Sequence, residues 1–247
     1  GNRFWMIFYS LYLLAVVLIG VIWIISPEAG FVLFLLMTLY HFGQADAATL
    51  PQSSPDMLLA ISRGSFLILL ILFSHPESIA GIIEAASTIS IMEHAIFGDY
   101  NHVVLAVSLV QYLLVLGWYR YRSYDFNLSQ YIADAVLLWI LFLATDPVIA
   151  FAVYFMLWHG IGHVEEMRSF FASLNEPMQW SRFYQQALPF SLLSWAGLVL
   201  LYGVSLYFEL TSQWIPLIFI LISALTLPHM LVVEKLYAYQ QKAGVHD

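Results

Sequence analysis

The sequence contains no cysteine among its 247 residues. This excludes disulfides, a thiolate nucleophile and cysteine-ligated zinc or iron–sulfur sites, so any metal chemistry must use histidine and carboxylate. Charge is also scarce, since 10% of the residues are Asp, Glu, Lys or Arg, against about 25% in soluble domains. Hydrophobic residues make up 62% and the mean hydropathy is +0.82. Most of the surface must therefore face lipid, which predicts an integral membrane protein and excludes a soluble enzyme.

Positive charge is the scarcer sign. Eight Lys and Arg stand against sixteen Asp and Glu, which gives a net charge of −8, and basic runs are absent. This balance argues against nucleic acid or an anionic membrane surface as a partner. Membrane lipid is expected as a partner because of the high hydropathy.

Long charge-free stretches predict an all-α, polytopic transmembrane helix bundle that forms one domain over residues 1–247. A bilayer core of roughly 30 Å needs about 20 mainly apolar helical residues to cross it. Residues 78–101 are amphipathic and are predicted to lie on the external membrane surface. About eight spans are expected: Phe4–Ile25, Phe31–Ala45, Met57–Ser74, His102–Tyr119, Leu128–Thr145, Pro147–Val164, Leu188–Phe208 and Leu210–Val233.

Two local features stand out within these spans. Asp146 and Pro147 predict a well-marked helix start, because Asp caps helix N-termini and Pro is tolerated at the first helical position. Arg63 and Asp134 place charges inside the third and fifth spans.

Alternating the loops across the membrane puts every base on one side, which the positive-inside rule identifies as cytoplasmic. We therefore expect a multi-pass protein of the cell (inner) membrane with a cytoplasmic C-terminus and with Glu84 and Glu209 outside. The bases are Arg3, Arg63, Arg120, Arg122, Arg168, Arg182, Lys235 and Lys242.

Four histidines fall inside spans, where an ionisable side chain indicates function by default. They are His41, His159, His163 and His229, and each comes about 11 to 20 residues, or roughly 16 to 30 Å, after its span begins. His159 and His163 are four apart, so both face the same side of their helix. A single such histidine is more often a helix–helix hydrogen-bond partner. Four at one depth predict a metal site.

Three carboxylates follow these histidines closely: Asp46, Glu165 and Glu166. They could orient the imidazoles by accepting N–H bonds. Equally, Glu165 and Glu166 could simply mark the cytoplasmic end of the sixth span.

Three blocks carry a resemblance over nearly the whole chain. His41 to Asp46 reads HFGQAD, the His159 and His163 pair follows an aromatic-rich run, and Leu225 to Met230 reads LTLPHM. Together they resemble the Brp/Blh family of membrane β-carotene 15,15′-dioxygenases. The resemblance implies a helical membrane enzyme that holds Fe(2+) through histidines and splits β-carotene with O2 into two retinals. In that family the retinal commonly serves microbial rhodopsins.

Carried over by position, His41, His159 and His163 would be iron ligands, and His229 a ligand or a close neighbour of the metal. A long apolar polyene would also need an aromatic lining. The candidate tunnel residues are Tyr40, Phe42, Tyr154, Phe155 and Trp158.

The chain departs from the family at two places. A Pro-His-Gly block expected on an earlier span is absent, so we expect one more span upstream with a histidine near its inner half. Gly162 stands where family members commonly carry Arg before the second histidine of the pair.

Other classes fit less well. A desaturase or hydroxylase is the second interpretation, although its di-iron site would need adjacent histidine pairs, which are absent. A retinal-binding photoreceptor is rejected, because it would need a lysine deep inside a helix. A transporter with intramembrane histidines and a bis-histidine haem carrier remain open.

Overall fold

The computed structural model describes residues 2–47, 57–122, 126–173, 178–209 and 214–242. Within these ranges the chain is helical and contains no strand. A 3₁₀ turn spans Ile91–Glu93 and a π-helical segment spans Phe155–Gly160. The α-helices are α1 (Asn2–Ile25), α2 (Pro27–Ala47), α3 (Met57–Phe73), α4 (Pro76–Ser87), α5 (Asn101–Tyr121), α6 (Leu128–Ala144), α7 (Pro147–Tyr154), α8 (Ile161–Ser173), α9 (Trp180–Tyr207) and α10 (Trp214–Lys242).

The expected all-α membrane helix bundle is confirmed, but the expected count of eight spans is wrong. In the described ranges, five helical stretches are long and apolar enough to cross a bilayer: α1, α5, α9, α10 and the continuous helix of residues 147–172. A sixth is present if α3 and α4, which meet at 98°, form one broken span.

The shortfall has a physical cause in α2, α3 and α6. Helices α3 and α6 have 17 residues each, which is short for a bilayer core. Helix α2 is longer but carries the polar side chains of His41, Gln44 and Asp46 near its end. The helices that fall short are thus two short helices, each with one internal charged residue, and one helix with a polar end.

Several helices extend beyond the expected bounds. Helix α2 begins at Pro27, because the Ser26 hydroxyl accepts a bond from the Ala29 amide at 3.2 Å and caps the new helix. The expected start of α7 is confirmed, with the Asp146 carboxylate accepting from the Val148 amide at 2.9 Å.

The last two helices are also longer than expected. Helix α9 begins eight residues before Leu188 and includes Pro189, and α10 continues past Val233 with Pro228 inside it. Leu210, the expected start of the last span, lies outside the described residues.

Helix α4 lies within the segment expected on the external surface. It turns sharply from α3 and buries Ile79, Ile83 and Ala86 in a cluster with Trp23 and Phe31. Its position relative to the membrane stays a prediction.

The end of α4 is tied to the turn between α1 and α2. The Thr88 hydroxyl donates to the Glu28 carboxylate at 2.6 Å, and the Ser26 hydroxyl donates to it at 2.9 Å. The bond from Thr88 is the largest cause of a lowered pKa at Glu28.

Two apolar clusters form the interior. The first joins α3, α5, α6 and α7 around Phe66, Tyr112, Phe142 and Tyr154. The second joins α1, α2, α4 and α10, where the Trp23 indole donates to the Ser223 hydroxyl across 3.0 Å. The site described below lies between them, on α2.

Helices α2 and α3 pack at backbone contact. A Cβ atom on Gly43 would lie 1.8 Å from the Ala60 carbonyl oxygen, and one on Gly64 would lie 1.8 Å from the Leu39 carbonyl oxygen. Small residues at helix interfaces allow such close approach within membranes. The two glycines therefore set the distance between α2 and α3.

We expect Gly64→Ala to lower the free energy of unfolding by about 1 to 3 kcal/mol, since the added methyl group must push two backbones apart. Gly117→Ala is the matched control, because a Cβ there would meet nothing within 4 Å. Thermal unfolding in detergent measures both, and equal stability of the two variants would contradict the glycine contact.

The sidedness prediction is tested across single helices. Glu84→Cys, in α4, precedes α5 and Arg122→Cys follows it, whereas Arg182→Cys lies in the first turn of α9 and Glu209→Cys follows that helix. The native chain has no cysteine, so a membrane-impermeant maleimide reports each position alone. Arg122→Cys and Arg182→Cys should react from the cytoplasmic side and the other two from outside; labelling of both members of a pair from one side would refute the assignment.

Candidate metal centre

Four histidines from separate parts of the chain meet in the bundle. The His41 ring on α2 has its centroid 5.2 Å from that of His159, 5.7 Å from that of His163 and 5.0 Å from that of His229. The rings of His159 and His163 are 4.5 Å apart. The residues expected to share one layer therefore form one cluster.

A π-helical segment carries part of this cluster. Residues Phe155–Gly160 form one wide turn between α7 and α8, and His159 is its buried residue. Such turns are rare and occur frequently at functional sites. His163 follows at the start of α8, so the irregular turn sets the direction of one histidine relative to the other.

Three of the histidines have the chemistry of a metal site. His41 and His159 are buried and His163 is partly buried, and one ligand nitrogen from each lies within 4.8 Å of the other two. His41 Nδ1, His159 Nδ1 and His163 Nε2 are buried atoms without a hydrogen-bond partner among the described residues. Unsatisfied buried polar atoms are costly, and a metal ion shared by the three nitrogens would satisfy all of them.

His229 lies beside this group but is exposed. Its ring centroid is 6.1 Å from that of His163, and Pro228 immediately before it is fully buried in α10. The geometry places His229 next to the three buried imidazoles and outside the set whose nitrogens converge.

The structure separates the three carboxylates that were candidates for orienting imidazoles. Glu166 Oε2 lies 3.5 Å from His163 Nδ1, the ring nitrogen opposite the unpartnered Nε2. Glu165 instead pairs with Arg168. Asp46 pairs with Arg63 and accepts from the Tyr154 hydroxyl at 3.2 Å.

The five candidate tunnel residues fall into two groups. Phe42 and Phe155 contact the histidine cluster, with ring centroids 4.7 and 5.2 Å from that of His159. Tyr154 and Trp158 are held through their polar atoms, Tyr154 by Asp46 and Trp158 by Asp134. Tyr40 accepts a bond from Gln44 at 3.3 Å.

An ionic cluster adjoins the histidines, and sequence reasoning placed only one of its members, Asp46, at the site. Arg63 Nε lies 2.8 Å from Asp46 Oδ2, and Arg63 Nη2 lies 2.5 Å from Asp134 Oδ2. Arg63 is buried and also lies over the Tyr112 ring, 5.5 Å from its centroid. The signal was visible in the sequence, since Arg63 and Asp134 are charges within apolar helices.

A cavity of about 220 Å³ joins the ionic cluster to the histidines. A Cβ at Gly162 would meet nothing within 4 Å, so that position has room for a larger side chain. Gln130, on the rim near the start of α6, is exposed, while His159 is buried. The lining residues are Ala45, Asp46, Arg63, Gln130, Tyr131, Asp134, Trp158, His159, Gly162 and His163.

Comparison with known proteins agrees with the resemblance. The family model described as β-carotene 15,15′-dioxygenase matches residues 1–237, and the chain therefore belongs to this family of membrane proteins. It is 26% identical over 236 residues to a protein of Halobacterium salinarum named probable β-carotene 15,15′-dioxygenase Blh, an alignment covering 85% of this chain and 68% of that relative. No solved structure matches the chain.

Glu166→Gln should weaken metal binding about 10 to 100-fold, the usual effect of removing a carboxylate that orients a metal-binding histidine. Glu165→Gln is its matched control, because the same change one residue earlier affects only the pair with Arg168. Metal titration of the apo-protein measures both, and equal affinities would show that Glu166 does not orient His163.

Proposed function

We propose that this protein cleaves β-carotene at its central 15,15′ double bond with O2, giving two retinals, and that it uses Fe(2+) held by His41, His159 and His163. The observation that carries the proposal is the convergence of three buried, unpartnered imidazole nitrogens. Membership of the β-carotene 15,15′-dioxygenase family supports the choice of substrate.

The donor set suits this chemistry. Three neutral imidazoles leave the full charge on a ferrous ion, and three protein ligands leave coordination positions open, as non-haem oxygenases require. When bound, the metal would activate O2 for attack on the polyene. The reaction balances without another reductant, because both oxygen atoms of O2 enter the two aldehydes as the double bond breaks.

The protein's own part is to position the substrate and keep the site dry. Phe42 is buried against His159, while Phe155 touches the same ring and is half exposed. Met156 and Leu157 beside it are also exposed. This apolar surface gives a carotenoid dissolved in the bilayer a route to the histidines from the side of the bundle.

The cavity beside the ionic cluster does not match the expected aromatic tunnel. Its volume of about 220 Å³ is smaller than the roughly 300 to 1,000 Å³ of ordinary small-molecule pockets. Of the five candidate tunnel residues, Trp158 is among the residues that line it, and the other four are not. The polyene therefore belongs on the side of Phe42 and Phe155.

The proposal includes His229 as a close neighbour of the metal, a location in the cell (inner) membrane with a cytoplasmic C-terminus, and transfer of retinal to a microbial rhodopsin.

Detergent-purified protein loaded with Fe(2+) and given β-carotene and ¹⁸O2 should form two retinals per carotene, each with one labelled oxygen. Rapid reduction to retinol preserves the label for mass spectrometry, because aldehydes exchange oxygen with water. His41→Ala, His159→Ala and His163→Ala should each lose bound iron and product together, since removal of a ligand exceeds the about 10 to 100-fold cost of losing its orienting partner.

His94→Ala is the control, because His94 is exposed and stands apart from the converging histidines. Iron and product are counted per folded molecule. A His159→Ala protein with full iron and activity would end the metal-site proposal. Bound metal without any carotenoid cleavage would favour a desaturase or hydroxylase, and a haem spectrum or metal-free protein would favour the remaining alternatives.

A further inference from the structure

The ionic cluster of Asp46, Arg63 and Asp134 needs an explanation beyond stability. Removing charged groups from water is expensive, and a buried ion pair is often no more stabilising than apolar residues of the same volume. Yet Arg63 is 4% exposed and stands between two carboxyl groups on different helices. One guanidinium thus joins α2, α3 and α6.

The same two carboxyl groups also hold the helix that carries two of the histidines. Asp46 accepts from the Tyr154 hydroxyl, and Asp134 accepts from the Trp158 indole N–H. Tyr154 is the last residue before the π-helical segment, and Trp158 lies within it, next to His159. The bonds therefore attach the π-helical segment at its beginning and near its end.

From this arrangement we propose that Arg63, Asp134 and Trp158 are positioning residues that orient His159 for metal binding through the π-helical segment. The proposal deepens the proposed function and rests on the metal site described there. Arg63 fixes the two carboxyl groups relative to each other, and each carboxyl group holds one aromatic side chain.

The path of the effect is short. Trp158 and His159 are adjacent in the π-helical segment. A rotation of the backbone of this segment that releases the indole from Asp134 therefore also turns the His159 ring. His159 Nδ1 has to meet nitrogens that are within 4.8 Å of one another, and metal sites tolerate only a small misplacement of a ligand. His163 and His41 have their own supports, Glu166 and the α2–α3 contact respectively.

The sharpest variant is Trp158→Phe, which keeps an aromatic ring and removes the indole N–H. Trp139→Phe is its matched control: Trp139 also lies on the core cluster, where its ring stacks on Phe66 at 6.4 Å, and it is not part of the metal site. Asp134→Asn changes the group that accepts the indole bond, and Arg63→Lys changes the group that pairs with Asp134. Lysine cannot bridge two carboxylates as the planar guanidinium does.

Cobalt(II) titration of each apo-protein in detergent gives the affinity, and the visible spectrum of the bound ion reports its ligand geometry without any need for catalysis. Trp158→Phe should weaken binding about 10 to 100-fold and change the spectrum, and Asp134→Asn and Arg63→Lys should produce the same spectral change. Trp139→Phe should alter neither quantity per folded molecule.

Two outcomes would overturn the proposal. An unchanged cobalt spectrum and affinity per folded Trp158→Phe molecule would show that the indole bond does not orient His159. Loss of folded protein in the cluster variants, with a native spectrum in whatever remains folded, would show that the cluster only stabilises the bundle. Failure of the wild-type protein to bind cobalt or iron would instead refute the proposed metal site itself, so the two failures are distinguishable.

Discussion

The backbone contact between α2 and α3 is the constraint on which the rest of the site depends. Without side chains at Gly43 and Gly64, each helix reaches a carbonyl oxygen of the other. Helix α2 carries His41 and Asp46, and α3 carries Arg63, so the contact that sets the helix distance also brings Arg63 within 2.8 Å of Asp46. A wider separation would break this ion pair. The pair of Asp46 and Arg63 thus depends directly on this contact, and His41 lies on one of the two helices that the contact positions.

The distribution of polarity among the helices follows from the same arrangement. Helices α2, α3 and α6 contribute His41, Asp46, Arg63 and Asp134, and they are the three that are too short or too polar to qualify as spans by themselves. The longer helices α1, α5, α9 and α10 supply most of the apolar surface. Polar groups inside a lipid-facing bundle must satisfy each other, as Asp46, Arg63 and Asp134 do through their ion pairs.

Much of this site could be predicted from the sequence, but not the partners of its charged groups. The depth of the histidines and the spacing of His159 and His163 predicted the cluster, since both depend on local helix geometry. The difference between Glu165 and Glu166 was also available, because residues three apart face each other on a helix and residues two apart do not. In contrast, Arg63 and Asp134 are distant in the chain, and a single sequence holds no local signal for their contact or for the π-helical turn. The number of spans was overestimated because hydrophobic length does not distinguish a span from a short helix inside the bundle.

The two sides of His159 differ in a way that fits an oxidation of an apolar substrate. One side of its ring meets Phe42 and Phe155, which continue to the apolar surface of the bundle. His159 also lines the cavity beside the ionic cluster, together with exposed Gln130 at the start of α6. Asp46, Arg63 and Asp134 line this cavity. Moving a polyene from lipid or apolar side chains to a place beside these charged groups would not be favourable. Under the proposed function, the charged groups on the cavity side would hold His159 in place, and the reacting double bond would lie on the side of Phe42 and Phe155.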